Sequence, residues 1–231
     1  MVRALAAGLV AVVACASARG QYFNIDLDAN GDVPDAAFGG AALQPGFWNG
    51  VQACDEGPRL LRDLGGELTQ VTYTFEQDHA NGMSCGWFNN QDNTGGYAAL
   101  LNDTLEINYS DTIFTFTFSG LDPGAYRVIT YAVRRGGQEC LTPVEVIGSE
   151  SPNPQFVTGP MPGDSFVLGV THALHDVDIT DGTIRVVCNL PLYGNDFSSI
   201  NGFQIAPVPA PPVGVAVVGG LLLVRRGRRA C

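Results

Sequence analysis

Alternation of apolar and polar residues is the feature that most constrains the fold of this chain. Phenylalanine occupies every second position from Phe114 to Phe118, with threonine between. Similar period-two runs cover residues 71–76, 126–131, 176–179, 183–188 and 200–205, and an opening run covers 22–27. Successive side chains of a strand point to opposite faces, so each run can bury one face and expose the other. The sequence therefore predicts an all-β protein built as an antiparallel β-sandwich.

Turn-forming residues separate the predicted strands. Pro123 and Gly124 predict a turn after the phenylalanine run, and Asp181-Gly182 predicts a tight hairpin turn. Between the two ends of the chain, helix is predicted only over residues 59–64 and 96–101. Short strands joined by many turns are typical of sandwiches, and they argue against helical or α/β classes.

The charge of the chain is distributed unevenly. All 23 acidic residues and only six of the 12 arginines lie between Asp26 and Asp196, and lysine is absent. Phosphate backbones require a basic surface, so the acidic body excludes nucleic acid as a partner. Such a body suits a protein outside the cytoplasm and can attract divalent cations.

The N-terminal segment has the pattern of a secretory signal peptide. Arg3 precedes an apolar stretch, which is followed by small residues up to Gly20. We expect residues 1–20 to form the signal helix and to be removed. The alternative is a lipoprotein signal, in which Cys15 would carry the lipid.

The C-terminal segment indicates a second targeting signal. A proline-rich hinge leads to an apolar run over residues 213–224, and four arginines follow: Arg225, Arg226, Arg228 and Arg229. Twelve residues form a helix of about 18 Å, which is short against a hydrocarbon core of about 30 Å. Arginines favour the cytoplasmic side, so the body would lie outside. We therefore expect a short hydrophobic helix that anchors the protein to a membrane.

This ending resembles the PEP-CTERM sorting signal of bacteria. The usual Val-Pro-Glu-Pro of that signal appears here as Val208, Pro209, Ala210 and Pro211, without the glutamate. The resemblance implies recognition and processing by a protease of the exosortase type. An ordinary C-terminal tail anchor is the alternative. The resulting division is a signal peptide (1–20), a β-sandwich domain (21–206) and a sorting segment (207–231).

Four cysteines lie in the body, namely Cys54, Cys85, Cys140 and Cys188. Export implies an oxidising compartment, so two disulfides are expected and three pairings are open. We favour Cys54–Cys85 and Cys140–Cys188. A zinc site is disfavoured because no CxxC pair occurs and the histidines are not spaced with the cysteines.

The body resembles a galactose-binding-like jelly-roll domain found in secreted proteins of planctomycete type. The resemblance runs from about residue 23 to residue 205. Its marks are residues 33–40, Phe47-Trp48-Asn49, residues 98–103, 118–126 and 169–172, and residues 201–205. It implies a fold and a compartment, but it transfers no binding site.

Two groups of side chains have the residue types of metal sites. Asp26, Asp28, Asn30 and Asp32 resemble the first half of a calcium loop, although Ala37 stands where the bidentate glutamate would be. The alternative is a strand end followed by a polar turn. The second group is His172, His175, Asp176, Asp178 and Asp181, where alternation predicts that the aspartates face solvent and His175 the opposite side. Calcium is the only cofactor that these patterns indicate.

Aromatic residues in Asn- and Gly-rich context suggest a sugar-binding site. A flat ring can stack on a sugar while neighbouring amides bond its hydroxyls. The candidate residues are Trp87, Asn89, Asn90, Asn93 and Tyr97. Trp48, by contrast, is interpreted as a core residue.

No motif for catalysis is present, so we expect a non-enzymatic exported protein with a structural or adhesive role at the cell surface or in the extracellular matrix. The alternative is a carbohydrate-binding module, with or without calcium, whose partner would be an extracellular polysaccharide.

Overall fold

The computed structural model of the protein describes residues 21–28, 31–52, 57–78, 83–87, 93–107, 112–134, 140–160, 163–188 and 198–209. For Asp28, Ile107 and residues 83–87 it describes the backbone alone. The predicted signal peptide and the apolar run of the sorting segment lie outside these residues. Within them, no helix has the length and apolar character needed to cross a bilayer.

The described residues form fourteen strands and one helix. The helix α1 spans Gly95–Leu101. The strands, in chain order, are β1 Phe23–Asp28, β2 Trp48–Gln52, β3 Arg59–Arg62, β4 Leu68–Gln77, β5 Met83–Trp87, β6 Asp103–Ile107, β7 Phe114–Ser119, β8 Gly124–Tyr131, β9 Thr142–Val146, β10 Gln155–Val157, β11 His172–Ile179, β12 Thr183–Cys188, β13 Ser198–Ile200 and β14 Gly202–Pro207. The all-β prediction and the helix near residues 96–101 are confirmed. The helix predicted over 59–64 is wrong, because residues 59–62 pair with β4 as a strand.

Two large sheets face each other and form the sandwich. One has the strand order β11-β8-β14-β1-β2, and the other has the order β10-β9-β12-β7-β4-β3. A small third sheet has the order β13-β6-β5. The pairings are antiparallel except that β1 and β2 run parallel. The predicted antiparallel sandwich is therefore confirmed, with one parallel pair at an edge.

The core lies between the two large sheets. Phe114, Phe116 and Phe118 are fully buried, as their alternation predicts. The Phe116 ring lies 4.9 Å from that of Phe203 on the opposite sheet and stacks at 5.2 Å on that of Phe75. Such ring pairs add about 0.5–1.5 kcal/mol beyond the burial of their area.

The turn at Asp181-Gly182 does not form the predicted hairpin. The strands on either side of it belong to different sheets, since β11 pairs with β8 and β12 pairs with β7. The turn instead carries the chain from one sheet to the other. It lies against the turn between β7 and β8, where Leu121 N donates to Gly182 O at 3.0 Å. Gly182 has φ +72, and a Cβ there would lie 2.7 Å from Leu121 O, so the position requires glycine.

The expected disulfide between Cys140 and Cys188 is wrong, because both thiols are free. The sheet register explains this result. Cys188 lies opposite Val144, four residues along the chain from Cys140. Four extended residues span about 13 Å, whereas a disulfide needs Cα atoms within about 7 Å. The second expected pair is not tested, since Cys54 and the side chain of Cys85 lie outside the described residues.

Candidate functional site: a cleft at the sandwich edge

The outer face of the five-stranded sheet is covered by the chain itself. The segment between β1 and β2 crosses this face and is tied to it by a buried network. Gln44 Nε2 and Gln204 Nε2 donate to Asn24 Oδ1 at 2.9 and 2.8 Å. The Tyr131 hydroxyl donates to Gln204 Oε1 at 2.5 Å and accepts from Ala41 N at 2.6 Å. Burial raises the pKa of Tyr131, so this phenol stays protonated and can donate.

A second apolar cluster lies under the same covering segment and α1. Trp48 and Tyr131 are buried there, and the rings of Phe38, Tyr97 and Phe166 pack against them. The ring of Tyr97 lies 5.1 Å from that of Phe38 and 4.8 Å from that of Phe166. Trp48 Nε1 donates to Phe38 O at 3.0 Å, which confirms Trp48 as a core residue. Only a small cavity of about 210 Å³ remains on this face, beside Ala41, Ala42 and the end of β14.

An open cleft lies instead where the two sheets end side by side. β2 is the last strand of the five-stranded sheet and β3 is the last strand of the six-stranded sheet. The space between them has a volume of about 370 Å³. It is lined by Phe47, residues 49–52 and β3. We call it the edge cleft.

Asn49 forms the floor of the edge cleft and joins its two walls. Its Nδ2 donates to Arg62 O at 2.8 Å and to Asn24 O at 3.0 Å, while its Oδ1 accepts from Arg62 N at 2.7 Å. The side chain is only 7% exposed. β2 and β3 belong to different sheets and are not joined by a ladder of backbone hydrogen bonds. The Asn49 side chain joins them instead and holds them at a set distance.

Phe47 and Arg62 form the mouth of the edge cleft. Phe47 is 38% exposed, and its backbone N donates to Leu64 O at 2.8 Å. The guanidinium of Arg62 lies over the Phe47 ring, 6.0 Å from its centroid, and donates to Gly66 O at 2.8 Å. Gly66 has φ +82, and a Cβ there would lie 3.4 Å from Phe47 Cδ2. The turn thus holds the ring and the cation in place on one side and leaves the rest of the ring accessible.

The described residues that line the edge cleft can recognise a ligand, and they include none of the acids, bases or nucleophiles most often used in catalysis. The nine described residues that line it include two arginines, an asparagine and a glutamine. None of the nine is an aspartate, glutamate, histidine, serine or cysteine. Hydrolysis of a glycosidic bond requires two carboxyl groups across the site. The chemistry that these nine residues offer is hydrogen bonding, ion pairing and stacking.

Of the predicted sugar-binding residues, the structure describes the side chains of Asn93 and Tyr97 alone, so the predicted site stays a prediction. Asn93 is buried, and Tyr97 is half-buried in the aromatic cluster described above. Thr94 next to them donates from both N and Oγ1 to the carboxylate of Asp164, which ties the start of α1 to the neighbouring loop. Trp87 lies in strand β5 rather than in a loop. Its side chain, together with Asn89 and Asn90, lies outside the described residues.

The predicted calcium ligands are in different environments. Asp26 is fully buried within β1, whereas Asp32 is exposed. Asn30 and the side chain of Asp28 lie outside the described residues. Among the side chains that the structure does describe, no three of His, Cys, Asp or Glu are grouped so as to hold a metal. Calcium binding stays a prediction.

The histidine and aspartate group is divided between the two faces of β11. Asp176 forms a bidentate pair with Arg127 at 2.9 and 3.0 Å on the outer side. His175 points into the core and is fully buried, as predicted. Burial lowers the pKa of His175 to about 4, and the charge of Asp176 opposes this shift. The pKa of His172, whose Nδ1 lies 3.0 Å from a threonine hydroxyl, is also lowered to about 4 by burial. Both imidazoles are therefore neutral core groups near pH 7.

The predicted sorting residues lie almost wholly beyond the described residues. Val208 N donates to Ala125 O at 2.8 Å, so the chain leaves the sandwich beside β8. Pro209 is exposed. Ala210, Pro211 and the four terminal arginines lie outside the described residues, and the sorting role of this segment stays a prediction.

Sequence reasoning did not identify the edge cleft. In the sequence, Phe47 and Asn49 mark only a fold resemblance, and a helix is predicted for Arg59 and Arg62. A signal was present in the charge distribution, because two of the six arginines of an acidic body stand three residues apart.

No family model and no curated protein matches this chain. Solved structures similar to it include TmCBM61 in complex with beta-1,4-galactotriose, at 14% identity, covering 59% of this chain and 88% of that chain with a TM-score of 0.33. Another is CBM35 from Cellvibrio japonicus Abf62, at 14% identity, 59% and 94% coverage and a TM-score of 0.32. A third is the CBM22-1 xylan-binding domain from Paenibacillus barcinonensis Xyn10C, at 9% identity, 60% and 87% coverage and a TM-score of 0.32. With TM-scores near one third, these likenesses assign neither a site nor a ligand to this chain.

Proposed function

We propose that this protein is a non-catalytic carbohydrate-binding domain and that the edge cleft is its glycan site. The observation that carries the proposal is the pair formed by Phe47 and Arg62 at the mouth of the cleft. An accessible ring beside a fixed planar donor offers a sugar both a stacking surface and hydrogen bonds. The structural or adhesive role without a glycan ligand becomes the alternative.

The cleft is held in shape before any ligand arrives. Asn49 fixes the distance between its walls, and the Leu64 and Gly66 carbonyls fix Phe47 and Arg62. Binding then costs little ordering of the protein, which favours affinity at a small and polar site.

A glycan array followed by calorimetry on the sugars retained tests this proposal. Phe47→Ala removes the ring, and about tenfold weaker binding is expected, which corresponds to about 1.4 kcal/mol. Leu168→Ala is the matched control, because Leu168 is also exposed but lies outside the cleft. Retention of no sugar across the array, or equal binding by wild type and Phe47→Ala, would reject the glycan site. The first of these results would favour the structural role.

We also propose that the domain acts outside the cytoplasm, delivered by the signal at residues 1–20 and the sorting segment at 207–231. Support comes from the sequence patterns at both ends and from the acidic body. The free thiols of Cys140 and Cys188 remove one argument for an oxidising compartment. Fractionation of cells that express a tagged copy tests the proposal, and recovery of the full-length chain in the cytoplasm would contradict it.

Deletion of residues 207–231 tests whether membrane retention and processing by an exosortase-type protease depend on that segment.

A further inference from the structure

Exposed apolar side chains lie around the point where the chain leaves the sandwich. Leu43, in the segment between β1 and β2, is 85% exposed, and Tyr22, directly before β1, is 39% exposed. Pro209, the last described residue, is exposed as well. We call Tyr22, Leu43 and Pro209 the exit patch, and we infer that it rests on the surface of a lipid bilayer. This inference rests on the proposed anchoring by residues 207–231 and states which face of the domain meets the membrane.

Folding alone does not account for a leucine at position 43. Leu43 has φ +53, and two hydrogen bonds close its turn: Leu43 N donates to Gly40 O at 3.3 Å and Gln44 N to Gly39 O at 2.7 Å. The same pair of bonds closes many helix ends, where the residue in the left-handed conformation is usually glycine. A leucine is strained in this conformation, and with so exposed a side chain it buries little apolar surface in return. Strain held together with exposure points to a contact made outside the domain.

Leu43 lies close to the point of exit. Its neighbour Ala42 lines the small cavity on the outer face of the five-stranded sheet, and Val208 and Pro209 line the same cavity. Val208 N donates to Ala125 O, which fixes the exit beside the start of β8. The covering segment and the departing chain therefore share one corner of the domain.

Tyr22 is at the same end of the sheet. The next residue, Phe23, pairs with Ile205 near the end of β14, so Tyr22 lies beside the last residues of that strand. Tyrosine is enriched where membranes meet water, because its ring is apolar and its hydroxyl can stay hydrated.

The connection to the predicted anchor is short. Three residues separate Pro209 from the apolar run over residues 213–224, and even a fully extended chain spans at most about 14 Å over that distance. As a helix the run would measure about 18 Å against a hydrocarbon core of about 30 Å. A bilayer accommodates so short a segment by local thinning. An anchor of this kind would hold the exit patch at the bilayer surface.

The charges near the exit patch favour a neutral lipid surface. Arg127 lines the same cavity, but it is paired with Asp176 through two hydrogen bonds, so the pair adds no net charge. Asp122, whose backbone N donates to Gln21 Oε1 at 2.8 Å, is exposed in the turn before β8. Together with a formal net charge of −11, this carboxylate repels anionic lipids. Zwitterionic phosphatidylcholine is therefore the lipid surface that fits.

Tryptophan quenching in vesicles tests the inference. The full chain with Leu43→Trp is inserted into phosphatidylcholine vesicles with brominated acyl chains, which quench tryptophan at short range, and the wild type supplies the background of Trp48 and Trp87. The added emission should fall by more than about half relative to unbrominated vesicles, because interfacial side chains lie about 5–10 Å into the headgroup boundary. Leu141→Trp is the matched control, since it places the same ring at another exposed leucine. Leu141 precedes β9 in the other sheet, away from the turn between β7 and β8, and its added emission should not change.

A second variant tests whether the leucine serves the fold. Leu43→Gly should leave the urea midpoint of the full chain in detergent solution unchanged or higher, because glycine adopts the left-handed conformation readily. A lower midpoint would show that the leucine stabilises the domain, and it would overturn the inference.

Vesicle flotation separates failure of the exit patch from failure of the anchor. If the chain floats with the vesicles but Leu43→Trp is not quenched, the inference is overturned and the anchor stands. Equal quenching at positions 43 and 141 would also overturn it, because the domain would then have no fixed orientation. If the wild type does not float, both the proposed anchor and the exit patch are rejected.

Discussion

Replacement of the buried His175 by leucine should remove part of the acid sensitivity of this domain. His175 lies on the inner face of β11, opposite Val128, and is fully buried. Among the residues that the structure describes, neither ring nitrogen has a hydrogen-bond partner. Burial lowers the pKa of His175 from its ordinary 6.5 to about 4, since the charged imidazole would lose its hydration.

The direction and size of the effect follow from this shift. Because the folded pKa lies below the unfolded one, the unfolded chain takes up the proton first as the pH falls. The stabilisation is fully present above about pH 6.5 and is lost as the pH falls toward 4. One pKa unit corresponds to about 1.36 kcal/mol, so the loss at pH 4.5 is about 2.5 kcal/mol. Near pH 7.5 leucine should be neutral or stabilising, because it replaces two buried polar atoms by an apolar group of similar size.

Urea unfolding followed by circular dichroism at pH 7.5 and pH 4.5 measures the effect. Carboxylates also titrate in this range, so the relevant quantity is the difference between wild type and His175→Leu. The wild type should lose about 2.5 kcal/mol more than the variant between the two pH values. His172→Gln removes the other histidine with a lowered pKa and measures its contribution separately. Equal losses by wild type and His175→Leu would refute the reasoning, since they would mean that the buried imidazole is hydrated or partnered in solution.

Three further predictions concern stability and thiol chemistry. Gly40→Ala should destabilise the protein by about 2 kcal/mol more than Gly95→Ala in thermal melts. Both glycines have positive φ, so the backbone cost is shared. A Cβ at Gly40 would approach two buried polar groups to 2.5 and 2.7 Å, whereas a Cβ at Gly95 would meet nothing within 4 Å. Equal destabilisation would contradict the packing around Gly40. Asn49→Ala should lower the free energy of unfolding by about 2–4 kcal/mol, because it leaves a buried carbonyl of β1 and partly buried backbone groups of β3 unpaired. A change in urea midpoint too small to measure would show that this amide does not hold the edge cleft together. Alkylation of the unfolded chain without reductant should label both Cys140 and Cys188, and only reductant-dependent labelling of the two would reinstate the disulfide. In the folded protein Cys188 should resist labelling, because it is fully buried and burial raises the pKa of its thiol.

Much of the fold could be predicted from the sequence because burial in a strand has a period. The phenylalanines of β7 and the alternating residues of β4 and β11 each leave one apolar face, and only a sheet can bury such a face. The short edge strand β3 could not be predicted from the sequence, because it lacks this periodicity. Arg59 to Arg62 read Arg-Leu-Leu-Arg and have no period of two, so their strand conformation comes from pairing with β4, with a register shift between Leu60 and Arg62.

The candidate site was less accessible to sequence reasoning. The sequence predicts a sugar site at Trp87, with neighbouring amides and Tyr97. Of these residues, Tyr97 packs its ring against Phe38 and Phe166 in an apolar cluster. Composition cannot show which face of a sheet the chain itself covers. It also cannot show that Asp181-Gly182 joins two sheets rather than two neighbouring strands, because a turn sequence describes the local backbone and leaves the partners of each strand undetermined.

The amino-acid sequence by itself determined the β class, the residues of the inter-sheet core and the acidic character of the surface. These properties follow from local periodicity and composition, which are independent of how the strands are arranged. Tertiary structure alone decided that β2 and β3 end side by side, that one amide from Asn49 joins them, and that Phe47, Arg59 and Arg62 meet at one cleft. The physical reason is that an edge is a property of the whole sheet: a strand becomes an edge only when every other strand has taken its partners.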